Sequence, residues 1–192
     1  MNKIAETSAP ILPVIAERWS PRAFEADYVV SKEDLTSILE AGRWAASAMN
    51  HQPWRFSVVT KTDELAQQLT AEALFGFNAA WVPNASLVIY ISVPETTEDG
   101  KPYTIAYFDA GLAAQNIMLQ AQALGLASHP ISGFSSEKAS EILGLESGHT
   151  AIVAIAIGKR ADAEVLQGSP AYDREIAPRH RLALNEVVLR GL

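Results

Sequence analysis

Cysteine is absent from the 192-residue sequence. That excludes disulfides, thiolate nucleophiles, thioether-linked haem, and zinc or iron–sulfur centres held by cysteine. Long apolar runs are missing too: no stretch reaches the roughly 18 residues that a membrane span needs. The opening Met1-Asn2-Lys3-Ile4-Ala5-Glu6 carries no signal-like apolar core. The expectation is a cytoplasmic protein with no membrane partner. Net positive charge is lacking as well: 15 Lys and Arg against 22 Asp and Glu leave a formal charge of −7. This argues against a nucleic-acid partner, and the chain has no basic recognition helix. The sequence-local signatures of catalysis are also missing. There is no G-x-x-x-x-G-K-[ST] loop, no G-x-G-x-x-G fingerprint, no G-x-S-x-G elbow and no H-E-x-x-H pair. His51, His129, His149 and His180 are scattered without metal-ligand spacing, so no metal site is expected and each reads as a loop or surface residue.

What is present suits one globular domain with a substantial core, since 48% of residues are apolar and 19% charged. Ser31-x-x-Asp34 followed by Leu35, Ile38, Leu39 and Gly42 predicts an amphipathic helix over 32–46. Phe56 to Thr60 reads as a strand, 63–74 as a helix and Ser86 to Val93 as a buried strand ended by Pro94. The Ala-rich run from Ile105 to Leu124, stopped by Gly125, predicts a helix buried all round, as at a centre or an interface. Ser136 to Leu143 predicts a short helix, and Thr150 to Ile157 a buried strand. After a polar segment of some 25 residues, Leu184 to Leu189 forms a candidate terminal strand. It could pair with a sheet edge on a partner, or the segment could be a loop on its own domain.

Arginine is confined to the two ends of the chain. Arg18, Arg22, Arg43 and Arg55 lie early, Arg160, Arg174, Arg179, Arg181 and Arg190 lie late, and none lies between. In an acidic protein this fits a phosphate pocket closed by both ends, because guanidinium groups bind phosphate oxygens bidentately. It also fits terminal segments that are merely more exposed. Trp44 and Trp81 read as core or interface aromatics.

Three clusters carry more specific information: Arg18-Trp19-Ser20-Pro21-Arg22-Ala23-Phe24, then Ala45-Ala46-Ser47-Ala48-Met49-Asn50-His51-Gln52-Pro53-Trp54, then Arg179-His180-Arg181. Together with Leu124-Gly125-Leu126 and Pro130-Ile131-Ser132-Gly133, in chain order, they resemble the nitroreductase family of FMN-dependent oxidoreductases. The resemblance spans nearly the whole chain. It implies that Arg18, Trp19, Ser20, Arg179 and Arg181 hold the FMN phosphate, position 19 through its backbone. Arg22 and Asn78 would meet the pyrimidine edge of the flavin. Pro130, Ile131, Ser132 and Gly133 would lie beside the ring, with a backbone N–H reaching N5. Ser47, Ala48, Asn50 and Gln52 would reach the flavin from the other subunit of a homodimer.

The same resemblance implies an α+β fold over residues 1–192, with a mixed β-sheet flanked by helices. The 105–124 helix would lie near the dimer axis, and a C-terminal arm would embrace the partner. It implies a reaction in which NADH or NADPH reduces FMN and a nitroaromatic, quinone or similar small acceptor reoxidises it. Ala46 stands where the family usually has proline, and Ser132 and Trp81 replace a glutamate and a lysine of one branch. The short Pro94–Tyr103 loop favours a plain reductase over relatives that reduce enals, remove halogens or fragment flavin. A protein that binds flavin without turnover is the other reading.

Overall fold

The computed structural model describes residues 3–191; Met1, Asn2 and Leu192 lie outside the described residues. Helix α1 (Pro13–Glu17) begins at a proline, whose missing N–H costs nothing in a first turn. Helix α2 (Lys32–Arg43) starts as its sequence requires, with Ser31 Oγ accepting the Asp34 N–H at 3.0 Å. Glu33 and Asp34 sit at its positive end and Arg43 at its negative end. It stops three residues short of the expected boundary. Strand β1 (Arg55–Thr60) leads into α3 (Glu64–Gln68), capped by Asp63 and continued as a π-helical turn over Leu69–Ala73. A four-residue helix α4 (Asn78–Trp81) precedes strand β2 (Leu87–Pro94). The long α5 (Ile105–Ala123) then leads to β3 (Ala127–Ile131), α6 (Ser136–Ile142), β4 (His149–Gly158), α7 (Pro170–Ile176) and α8 (Leu184–Val187).

The strands lie in the order β1-β2-β4-β3, and every pairing is antiparallel. The expectation of a mixed sheet is corrected in that respect for the described residues. A helical crossover such as α5 could lay β2 and β3 side by side and parallel, but β4 inserts between them and runs opposite to both. The terminal strand expected over 184–189 is corrected too. Leu184–Val187 forms one helical turn, started by Glu186 Oε1 accepting the Ala183 N–H at 2.9 Å. A strand needs an edge to pair with, and none meets this segment within the protomer.

The sheet is buried on both faces, as strand alternation demands. Leu87, Ile89, Ile91, Val93, Ile155 and Ile157 pack with Ile38 of α2 and Ile117 and Met118 of α5. Tyr90, Ala154 and Ala156 face the other way, onto Leu69, Trp81, Phe134 and Ala139. Each large aliphatic side chain in these layers contributes about 1.5–3 kcal/mol. Helices α2 and α5 approach so closely at Gly42 that a Cβ there would lie 2.8 Å from Ile117. Within the protomer, helix α5 is buried along one side. Its Ala106, Ala110, Ala113 and Ile117 face the core, while Tyr107 and Phe108 remain 49% and 63% exposed. No helix among the described residues is long and apolar enough to cross a membrane.

Candidate functional site

The two chain ends meet, as the arginine distribution suggested. Arg18 follows α1 and is half-buried, with its Nη1 3.4 Å from Ser20 Oγ. Burial lowers its pKa, and the charges of Arg179 and Arg181 lower it further. Arg179 is lowered the same way by burial and Arg181. Among the described residues no carboxylate forms an ion pair with any of the three. Three converging cations without an acid make a site that gains from an anion. Arg179 is held in place by Nη1 donating to Lys3 O at 2.8 Å and Ala16 O at 3.0 Å. Arg181 is exposed and donates to His180 O. Trp19 lies beneath the Lys3 ammonium, 4.3 Å from its ring centre, and lines a polar cleft of ≈ 530 Å³ with Pro21 and Arg160.

A second cavity, of ≈ 300 Å³, opens beside the C-terminal end of β3. Arg22, Asn78, Pro130, Ile131, Ser132 and Gly133 all line it. The Arg22 backbone N–H donates to Glu175 Oε2 at 2.7 Å, while its buried Nε has no partner. Burial lowers the Arg22 pKa, Glu175 opposes that, and Arg174 adds to it. Asn78 is fixed twice: its Nδ2 donates to Gly133 O at 3.1 Å, and its Oδ1 accepts the Trp81 indole N–H at 3.2 Å. A Cβ on Gly133 would lie 2.6 Å from that Nδ2, so only glycine permits this approach. Ile131 is 3% exposed with its side chain in the core, which leaves its backbone to face the cavity.

Ser47, Ala48, Asn50 and Gln52 lie apart from both clefts, on a largely exposed loop before β1. The loop is tightly built. Both Asp109 carboxylate oxygens lie 3.2 Å from the Ala48 nitrogen, whose N–H they accept. Ser47 Oγ accepts the Gln52 N–H at 3.0 Å, and Gln52 Nε2 donates to Asn50 O at 2.9 Å. Met49, Asn50 and Gln52 hold φ of 50°, 58° and 50°. Three non-glycine residues in the left-handed region so close together store strain of the kind found at ligand sites.

Residues 15–159 match the Nitroreductase family. The chain belongs to that family. A Thermus thermophilus protein named NADH dehydrogenase is 30% identical over 217 residues, covering 96% of this chain and 98% of its own. A Bacillus subtilis protein provisionally named an NAD(P)H nitroreductase is 28% identical over 188 residues, covering 79% and 88%. A crystal structure described as an oxidoreductase containing FMN superimposes with a TM-score of 0.87 at 33% identity, covering 97% of this chain and 94% of that one.

Within this nitroreductase fold, four residues near the site escape a reading of the sequence alone. His129 is buried in β3 rather than in a loop, with Nδ1–H donating to Pro21 O at 2.9 Å and its ring 4.6 Å from that of Trp81. Burial, helped by Arg22 and Arg18, pushes its pKa down to about 4, so it is neutral. Glu175 is 4% exposed and Asp109 1% exposed, each holding a backbone N–H of a site segment. Lys3 donates to Glu175 O and to Ala177 O, tying the first described residue to the end of α7. No local motif announces these roles, because each partner is distant in sequence. A charged residue inside an apolar helical run, such as Asp109 between Phe108 and Ala110, is the one available signal.

Proposed function

We propose that the protein is an FMN-dependent NAD(P)H oxidoreductase, acting as a homodimer on nitroaromatic, quinone or similar small acceptors. The observation that carries this reading is the convergence of Arg18, Arg179 and Arg181 without ion-paired acids, together with a cavity lined by Arg22, whose buried Nε has no partner. Phosphate fits the first feature, and the pyrimidine edge of a flavin fits the second. The crystal structure that resembles this chain at 33% identity is of an oxidoreductase containing FMN, which supports the same assignment.

When bound, FMN supplies a carrier that accepts hydride at N5 from NAD(P)H and passes it to the acceptor in a separate half-reaction. The chain's own residues bind and orient. Arg18, Ser20, Arg179 and Arg181 hold the phosphate, with Trp19 contributing backbone. Arg22 would bring positive charge to the pyrimidine edge of the ring, which favours its reduction. Asn78 and the backbone from Pro130 to Gly133 would hold the ring's edge; Gly133 lets Asn78 close onto this segment, from which a backbone N–H would serve N5. Neutral His129 holds the Ser20-Pro21-Arg22 turn against β3 without adding a charge. An N–H-and-cation site of this kind needs no nucleophile or metal, in keeping with the missing motifs.

The homodimer reading rests on surfaces that one protomer leaves uncovered: Trp44 and Met49 at 74% and 88% exposure, Phe108 on α5, and Leu182, Leu184 and Leu189 on the C-terminal arm. Ser47, Ala48, Asn50 and Gln52 then serve the partner's flavin, and the arm crosses to the partner. The loop after β2 closes as a small hairpin through the Thr96–Pro102 bridge, which suits a plain reductase with an open pocket.

Arg18→Ala and Arg181→Ala test the phosphate assignment. Each is expected to weaken FMN binding by about tenfold to a hundredfold, the loss of one or two charge-assisted hydrogen bonds, while the apo chain keeps its melting temperature. Unchanged FMN affinity in both variants would overturn it.

A further inference from the structure

The cavity beside β3 is faced by two guanidinium groups, and the edge of one flavin ring accounts for only one of them. Arg22 and Arg174 both sit against Phe77, their guanidinium carbons 5.8 Å and 4.7 Å from its ring centre. Both line the same cavity, with Phe75 and Phe77. The carboxylate beside Arg22 is committed: Glu175 is buried and accepts the Arg22 N–H. Arg174, one position earlier on α7, is exposed and makes no ion pair among the described residues. The Phe77 ring beneath the Arg174 guanidinium favours this placement of its charge, so a ligand that meets it there has less to order. Phe75 is 56% exposed beside it and offers an aromatic face to the solvent.

We propose that Arg174, with Phe75 and Phe77, is the subsite for the phosphates of the hydride donor. The inference rests on the reading above that this cavity takes the flavin ring. A nicotinamide that delivers hydride to the ring must lie on it, and its phosphates then lie outside, at the mouth where Arg174 stands. Quinones and nitroaromatics carry no fixed negative charge and would leave Arg174 without a partner, whereas the pyrophosphate of a reduced dinucleotide is anionic. The sequence has no glycine-rich dinucleotide fingerprint to hold those phosphates. A free arginine beside an exposed aromatic ring supplies the same recognition from side chains: charge for phosphate and a π face for adenine.

The test uses FMN-loaded protein, wild type, Arg174→Ala and Arg174→Lys, with three donors: NADH, NADPH and 1-benzyl-1,4-dihydronicotinamide, which has no phosphate. In Arg174→Ala the KM for NADH or NADPH is expected to rise about tenfold or more beyond any change with the benzyl donor, the scale of one lost charge-assisted hydrogen bond. Lysine restores part of it, and the salt dependence of KM flattens with alanine. An equal rise for both dinucleotides points to the pyrophosphate, a rise for NADPH alone to the 2′-phosphate, and either supports the proposal. The same change with all three donors, no change, a change only in the acceptor's KM, or loss of FMN on substitution would each overturn it. Failure of the underlying reading looks different: wild-type protein would take up no FMN, or no donor would reduce it.

Discussion

The β3 cavity and the Ser47–Gln52 loop are two halves of one proposed site, and they are finished to different degrees within a protomer. Around the cavity, Asn78, Glu175 and His129 each satisfy a partner across the fold, and only the buried Arg22 Nε among these groups has no partner. The loop, by contrast, is largely exposed, holds three non-glycine residues at positive φ, and is anchored from below by Asp109. The cavity side is thus shaped by the chain's own packing. The loop side meets no such counterpart among the described residues of the protomer; in the proposed function it serves the second subunit and its flavin.

The cavity side breaks with pH. His129 is held neutral by burial with a pKa of about 4, below its ordinary 6.5. The unfolded chain takes up this proton first as pH falls. The resulting stability is therefore complete above pH 6.5 and is lost between 6.5 and about 4, by about 3 kcal/mol. Denaturant unfolding of wild type should lose that increment over this window, and His129→Gln, which cannot titrate, should lack it. An identical pH slope in both proteins would contradict the burial argument. On the loop side the effect is smaller. Asp109→Ala leaves the Ala48 N–H without its acceptor and should cost about 1–3 kcal/mol. In the dimer account it also makes FMN retention fall off at higher protein concentration than in wild type, measurable by flavin fluorescence on dilution. The smallest expected effect is a gain: Met49→Gly removes left-handed strain and should raise stability by about 1 kcal/mol or less, seen as a small rise in melting temperature. If the FMN affinity of the dimer falls with that substitution, the preformed loop geometry contributes to binding.

The same contrast marks what the sequence could disclose. Elements with a clear period and a chemical stop are legible to within a residue or two: α5 between Ile105 and Ala123, β2 ending at Pro94, β4, and the Ser31 start of α2. Strand β3 leaves no such trace. It is five residues long and contains Pro130, which an edge position tolerates because a missing N–H there leaves no inner ladder unpaired. The terminal segment misleads in the other direction, since Val187, Val188 and Leu189 favour a strand but have no edge to join within the protomer. For the site, the arginine distribution and the ordered motifs point to the segments that the proposed site uses, and the structure brings Arg18, Arg179 and Arg181 near one another. Glu175, Lys3 and His129 stay hidden because their partners lie more than a hundred residues away in the chain.

The most direct test of the central claim is the visible absorption spectrum of the purified protein, recorded without oxygen before and after addition of NADH or NADPH. Oxidised flavin bands should be present, bleach on addition of the donor and return when a quinone or nitroaromatic is supplied. A protein that shows no flavin even after incubation with FMN, or whose flavin neither donor reduces, would contradict the claim.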